Sequence, residues 1–366
     1  MECNCCLLHD GIGGVRIGAD GRCNFCDLHD RLVLEYQGGE DRFASEAERI
    51  RDAGTGERYD CLIGISGGFD SSYMIYMAKN HGLRPLLFHF DNGYNTTEAE
   101  NNMKVMAEWS GFDLIRYRVS IPEIRRVNLA ILRASVSEAD IPNDLIMLRL
   151  FIETARNYKI KYIMNGHNFR TEGSCPIGWT MMDTRYLRDT AGKGCALPLP
   201  SLWYQMMAGR GIKTVRPYYW FAVNNLYKED LKKELTRLCG WQDYGGAHCE
   251  NLYTKFVGNY LLPRKFGIDK RLLYVSANIR SGTMCKTWAR EALEQPFQFT
   301  ATEMDGICLS LGIDLVEMSR IMVLPVRHGG QYKSYRAILR RIRPLVWLAM
   351  KAGMFSRTYY EKYCRG

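Results

Sequence analysis

Apolar residues fall in short unbroken runs up to about residue 220 and at helical spacing beyond about 225. Tyr59–Ser66 (YDCLIGIS) reads as a buried strand, because a continuous apolar centre suits a strand covered on both faces. Leu86–Asp91 (LLFHFD), Asp113–Ser120 (DLIRYRVS) and Lys161–Asn165 (KYIMN) repeat the pattern, and Thr214–Trp220 offers a fifth strand. Between them, Asp70–Lys79 sets Tyr73, Met74 and Met77 at helical spacing, and Glu123–Arg133 and Asn143–Tyr158 read as helices. Strands separated by helices predict an α/β fold with a doubly wound, Rossmann-like parallel sheet. Ahead of it lie a small Gly- and Cys-rich stretch to about residue 30 and a polar helical stretch, Arg31–Arg51. After it come a charged amphipathic helix, Leu226–Leu238, stopped by Gly240, and an aromatic and basic stretch, Asn251–Gly282. The last part, Tyr335–Lys351, is amphipathic and basic, with Pro344 expected to kink it. The expected division is a small Cys-rich ribbon at 1–30, a sheet domain at 55–222, a helical region at 223–318 and a basic amphipathic tail at 319–366.

Composition narrows the class. With 366 residues, 46% hydrophobic and 24% charged, the chain has the make-up of a globular enzyme of more than one domain. The N-terminus holds Cys3, Cys5 and Cys6 where a secretory signal would need an apolar core. No apolar stretch reaches transmembrane length. Thirteen cysteines suit a reducing compartment, so a cytoplasmic protein is expected. The net charge is +9, yet the chain from Arg320 onward has eleven Lys or Arg against one acid, Glu361. The rest is close to neutral, so no nucleic-acid substrate is expected. A membrane surface or an acidic protein is the partner such a tail suits. There, Ile338, Leu339, Ile342, Leu345 and Val346 alternate with Arg336, Arg340, Arg341 and Arg343, as in an interfacial helix or one packed on the body.

Two clusters carry chemistry. The first is Ser66-Gly67-Gly68-Phe69-Asp70-Ser71-Ser72, which follows a strand and opens a helix. The first turn of a helix offers unpaired N–H groups and a positive dipole end to a phosphate. Gly67 and Gly68 let the backbone come close, and the hydroxyls of Ser66, Ser71 and Ser72 are candidate donors. Asp70 would orient the loop or help hold Mg²⁺. The Lys of a Walker A motif is missing. Asp91, in FDNG, and Gly166-His167-Asn168 sit at later strand ends, where open sheets bind ligands. Asp91 suits a ribose or a metal, and His167 the nucleotide or a reacting carbonyl. The second cluster, Cys3-x2-Cys6 and Cys23-x2-Cys26 with sixteen residues between the pairs, has structural-zinc spacing. No G-x-C-x-G turn is present, so no glutaminase nucleophile is expected in this chain.

The glycine loop resembles the pyrophosphate loop of the adenine-nucleotide α-hydrolase superfamily, whose members form an adenylated intermediate and release pyrophosphate. Phe69 stands where Val, Ile or Lys is common. More specifically, the Cys-rich ribbon, SGGFDSS, HFDNGYNT, ASVSEADIPND, NGHNFRTEG, GWQDYGGAHCEN and TKFVGNYLLPRKFGIDKR resemble the N-acetyl sugar amidotransferase family of bacterial surface-polysaccharide biosynthesis. The resemblance runs from Cys3 to about Pro296. It implies ATP-dependent conversion of an acetamido group on a nucleotide-linked N-acetyl sugar into an acetamidino group, with ATP, Mg²⁺ and Zn²⁺ bound. It also implies two partners that deliver ammonia, a HisH-like glutaminase and a HisF-like ammonia-channelling barrel. Within it, Asp70, His167 and Lys265 are expected at the chemistry. Arg264 and Lys265, with Lys270 and Arg271 nearby, are expected to contact phosphate or the sugar nucleotide. Glu172 and Glu250 would handle protons or bind sugar. Trp179, Trp220, Trp241, Tyr244 and Tyr253 are available to line a lid. The main alternative is an ATP-dependent tRNA-modifying enzyme with Cys61 and Cys175 as candidate thiols; a non-catalytic scaffold is the other.

Overall fold

The computed structural model describes the chain except residues 182, 193–195, 205–208, 221–224, 245–248, 353–356 and 366, and the side chains of 225–228, 358 and 365. Among the described residues one sheet is formed by β1 (Cys61–Gly64), β2 (Pro85–Asp91), β3 (Leu114–Arg118), β4 (Tyr162–Met164) and β5 (Lys213–Val215). Its order is β3-β2-β1-β4-β5 and every pairing is parallel. The chain thus begins at the middle, winds outward through β2 and β3, then returns to β4. The loops after β1 and β4 leave the sheet in opposite directions, which opens a crevice at the strand ends.

The alternation of side chains along β1 explains its unbroken apolar run. Cys61 and Ile63 join a buried cluster with Ile75 and Ala78 of α3 (Phe69–Asn80) and Met103 of α4 (Thr97–Ser110). Leu62 points the other way, into the cluster holding Ile131 of α5 (Ile121–Ala134) and Leu145 of α6 (Ile141–Asn157). A strand covered on both faces has no polar side to show.

Several elements differ from the expected bounds. The polar stretch Arg31–Arg51 is two helices, α1 (Asn24–Glu35) and α2 (Gly39–Ala53), broken where Gly38 and Gly39 take φ of 109° and 54°. Helix α1 starts directly after Cys23, so the cysteine module and α1 are continuous across residue 30. Of Thr214–Trp220 only the first two residues belong to β5. Pro217 then opens a 3-10 turn, since proline cannot donate to the ladder. The charged helix forms over Asn225–Cys239. Beyond it, Leu252–Phe256 widens into π-helical turns over Val257–Phe266, around Pro263, which lacks the N–H an α-turn needs. The tail helix breaks at Ile342 into Arg336–Arg341 and Arg343–Lys351, with Pro344 in the first turn of the second. Leu339 and Val346 are buried on the body, whereas Ile338, Leu345, Trp347 and Leu348 are exposed. Among the described residues no helix is long and apolar enough to cross a membrane.

Candidate active site

The glycine loop occupies the carboxyl end of β1, the central strand, and Gly68 is the N-cap of α3 without a capping side chain. Its shape is held from inside. Ser71 Oγ donates to the Gly68 carbonyl at 3.0 Å and accepts from the Ser66 N–H at 3.2 Å; Ser66 Oγ accepts from the Gly68 N–H at 3.3 Å. From outside, Asn102 Nδ2 and Trp241 Nε1 both donate to the Gly67 carbonyl, at 3.0 and 3.1 Å. Gly67 takes φ +80°, and a Cβ on it would meet the Ala99 carbonyl oxygen at 2.3 Å. The loop is therefore preformed. Ser72 departs from the expected donor role. Its hydroxyl is fully buried and unpartnered, on the helix face that also buries Ile75 and Ala78. It points into the core, away from where a phosphate would sit.

A cover closes on the loop. A Cβ on Gly68 would lie 2.7 Å from Tyr244 Oη and 3.5 Å from Glu250 Oε1, and Tyr244 Oη donates to Glu250 Oε2 at 3.2 Å. Burial, then the nearby Glu250 and Asp70 carboxylates, push the Tyr244 hydroxyl's pKa up, so it remains a donor. The segment is tied to the end of β2: Thr96 N–H donates to the Glu250 carbonyl, and Asn251 Nδ2 to Asn92 Oδ1. Residues 245–248 of the GWQDYGGAHCEN motif lie outside the described residues.

The other strand ends converge unequally. Gly166 comes beside the loop: a Cβ there would be 3.8 Å from the Asp70 carbonyl carbon and 3.5 Å from the Tyr218 ring. Tyr218 Oη donates to the Asp70 carbonyl at 2.5 Å. Asp91 accepts from the Gly93 N–H at 2.9 Å and pairs with Arg118 at 2.8 Å, so it shapes its own turn. His167 is engaged at both ring nitrogens. Nε2 lies 3.1 Å from the Gly173 carbonyl, which can only accept, so Nε2 carries the proton and Nδ1 accepts from Tyr219 Oη at 3.0 Å. That arrangement fixes the 166–173 loop and gives His167 a positioning part where a catalytic one was expected. Glu172 accepts from the Asn168 N–H at 3.2 Å within the same loop.

The basic candidates are placed otherwise than expected. Lys265 Nζ donates to the carbonyls of Ile321, Met322 and Leu324 at 2.6, 3.1 and 2.9 Å. It closes the C-terminal end of the helix Leu315–Val323, where carbonyls and the dipole favour a cation. Arg264 is exposed and lies over the Tyr260 ring at 4.3 Å, and Arg271 forks onto Asp269. Lys265→Met is accordingly expected to cost about 1–3 kcal/mol of stability, as for lost charged hydrogen bonds, and to leave the KM for ATP within about twofold of wild type. Thermal melts and steady-state kinetics check this; a KM raised tenfold at unchanged stability would restore the phosphate-binding role. The two candidate thiols of the tRNA-modifying alternative are each engaged separately. Cys61 is fully buried with its thiol toward Met164 and its pKa pushed up by burial, while Cys175 is hydrogen-bonded to Thr180.

The four module cysteines do converge. Their Sγ atoms lie within 4.8 Å of one another, all buried, with no disulfide among them. Separations of 3.6 Å (Cys3–Cys26), 3.7 Å (Cys6–Cys23), 3.5 Å (Cys23–Cys26) and 3.7 Å (Cys6–Cys26) approach the edge of about 3.8 Å that a tetrahedron with Zn–S of about 2.3 Å requires. The backbone N–H of Cys23 donates to Cys3 Sγ at 3.2 Å and Arg280 to Cys6 Sγ at 3.5 Å, as suits thiolates. Hydrogen bonds from Cys23 and Cys26 hold the Cys6 thiol's pKa well down, and those contacts push Cys26 up. Crowded thiols of this kind ionise together only around a cation. The set fits Zn²⁺. The module packs on the body through the Gly178 N–H to the Gly13 carbonyl (2.6 Å), Leu7 N–H to Ser276 Oγ (3.3 Å) and Lys286 Nζ to the Cys3 carbonyl (2.8 Å). Gly13 and Gly178 touch so closely that a Cβ on Gly178 would lie 2.5 Å from the Gly13 oxygen.

A parallel sheet whose central strand runs through a double-glycine turn into a helix defines an α/β protein with a glycine loop at its topological switch point, where such folds bind their ligands. Residues 250–345 match the family described as LPS biosynthesis protein WbpG-like, C-terminal domain. The match spans about a quarter of the chain, and its description agrees with the surface-polysaccharide setting that the sequence motifs imply. No curated protein matches the chain. Among solved structures, an NH3-dependent NAD synthetase from Campylobacter jejuni, in complex with nitrate, is 10% identical with a TM-score of 0.32, covering 70% of this chain and 98% of that one. The NMN synthetase from Francisella tularensis is 11% identical with a TM-score of 0.28, covering 83% and 98%. Both are too distant to bear on the chemistry, which rests on this chain's own residues.

Proposed function

We propose that the protein is an ATP-dependent amidotransferase of surface-polysaccharide biosynthesis that turns the acetamido group of a nucleotide-linked N-acetyl sugar into an acetamidino group. The observation that carries this is the preformed glycine loop at the end of β1, covered by Tyr244 and by Glu250, the first residue of the segment that matches the WbpG-like domain. An amide carbonyl is a poor electrophile with a poor leaving oxygen. Its oxygen attacks the α-phosphorus of ATP, and pyrophosphate leaves against the first-turn amides of α3. Mg²⁺ would neutralise charge on the phosphates, and Asp70 and Glu250, both near Tyr244 over the loop, would be the carboxylates to hold it. Ammonia then attacks the imidate carbon, and AMP departs with the former amide oxygen. Water must be kept out meanwhile, and Tyr244 and Glu250, which lie over the loop, would serve that end. Ammonia would come from the two partner proteins, since no glutaminase motif is present here.

The test is a mass-spectrometric assay with Mg-ATP, ammonium at mildly alkaline pH and a UDP-linked diacetamido sugar acid labelled with heavy oxygen in its acetamido groups. AMP carrying one heavy oxygen, and a sugar with one oxygen replaced by NH, are expected. Asp70→Ala should lower both by at least ~100-fold, the usual scale for losing one electrostatic stabiliser. AMP formed only with tRNA would assign the protein to base modification instead.

A further inference from the structure

The tail helix Arg343–Lys351 is apolar on two sides at once. Its inner side is used: Val346 is buried against the body, and Ala349 and Met350 are half-buried. By helical geometry Pro344, Leu348 and Lys351 stand in line on the opposite side, with Leu345 to one flank and Trp347 to the other. All five are exposed, Leu345 at 63%, Leu348 at 56% and Trp347 at 42%. In the shorter helix before it, Arg336–Arg341, Ile338 is exposed as well. A surface helix ordinarily keeps one apolar stripe for the core and turns polar groups to water. Large apolar side chains on the second side call for a second apolar surrounding.

Charge says of what kind. Between Glu317 and Glu361 the chain carries nine Lys or Arg and no Asp or Glu. Two of the nine are answered by carboxylates from outside this stretch, Arg320 by Glu317 at 3.8 Å and Arg357 by Glu35 at 3.4 Å. Arg340, Arg341 and Arg343, exposed at the join of the two helices, make no ion pair among the described residues. Lys351 closes the far end, its ammonium 5.6 Å from the centre of the Trp347 ring. Leucines along the middle, an indole at the flank and basic groups at both ends make up a helix that lies in a lipid headgroup layer. There the leucines meet acyl chains, the indole sits at the boundary, and Lys and Arg reach the phosphates. A second copy of the chain would set basic side chains against basic ones, so the face does not suit self-association. The helix has nine residues, too short to cross a bilayer, so the contact is with its surface.

We propose that the helix Arg343–Lys351 docks the protein on an anionic lipid surface, with Leu345, Trp347 and Leu348 entering the headgroup layer and Arg340, Arg341 and Arg343 facing the lipid phosphates. The proposal is independent of the reaction assigned above.

The test is flotation of the full chain with vesicles of phosphatidylcholine alone and of phosphatidylcholine mixed with phosphatidylglycerol, at low and high salt. Wild type is expected to partition at least ~10-fold better onto the phosphatidylglycerol vesicles at low salt and to be released from them by high salt. Arg340→Gln, Arg341→Gln and Arg343→Gln together should cut that partition roughly 100-fold, at about fivefold for each basic side chain. Leu345→Ser with Leu348→Ser should cut it roughly 10-fold or more. The substituted side chains are all exposed, so both variants should keep the melting temperature and ATP affinity of wild type. Partition of wild type onto both kinds of vesicle alike, or onto neither, overturns the proposal. So does binding that the arginine variant loses and the leucine variant keeps, which would leave a contact of charge alone. Retention of wild type on immobilised polyglutamate without flotation on any vesicle would overturn it in favour of an acidic protein.

Discussion

Gly67→Ala is expected to destabilise the protein by about 2–5 kcal/mol and to remove nucleotide cleavage. Two costs add. A φ of +80° is open to glycine and strained for alanine, and the new methyl would sit 2.3 Å from the Ala99 carbonyl oxygen. Backbone on both sides leaves no flexible side chain to yield. The loop would have to move, and with it the Gly67 carbonyl that Asn102 and Trp241 hold. A lowered melting midpoint together with lost ATP binding is the expected pair of results. Normal ATP affinity in Gly67→Ala would mean that the phosphates bind elsewhere, and the proposed site would fall.

Cys23→Ser should have an effect of similar size through a different part of the molecule. Serine cannot replace a thiolate on a tetrahedral zinc, so the ion is expected to drop from one per chain to none by elemental analysis. Cys23 also stands at the N-cap position of α1, whose Asp27, Leu28 and Arg31 line a cavity beside His167. The unfolding midpoint should fall by several degrees, and ATP binding should suffer less, since the loop after β1 is built on the sheet. A zinc-free variant with native melting would show that the cysteines are not a structural centre.

Local pattern carried much of the fold and less of the site. The strands could be read because β1, β2 and β4 are covered on both faces, which forces unbroken apolar runs. The glycine loop and the cysteine pairs were legible because their geometry admits few residue types at fixed spacing. Lys265 misled because a lysine in a basic stretch looks the same whether it meets a phosphate or the carbonyls of a distant helix end. His167 was found at its strand end, but its partners Gly173 and Tyr219 are set by tertiary folding. Asn102 was missed since a lone polar residue on a helix reads as solvated, although it is fully buried and holds Gly67 and Gln242.

The contact of Gly13 with Gly178 bears on how this architecture can be rebuilt. Two main chains meet there with no side chain between them, one from the cysteine module and one from the loop after β4. A ribbon borrowed from another protein would dock only if it presented a bare backbone at the same height. Chimeras that exchange residues 1–30 should therefore fail at this joint before they fail at the metal, unless the graft brings its own glycine. By the same reasoning the two glycines should be inherited as a pair, even though 165 positions separate them in the chain.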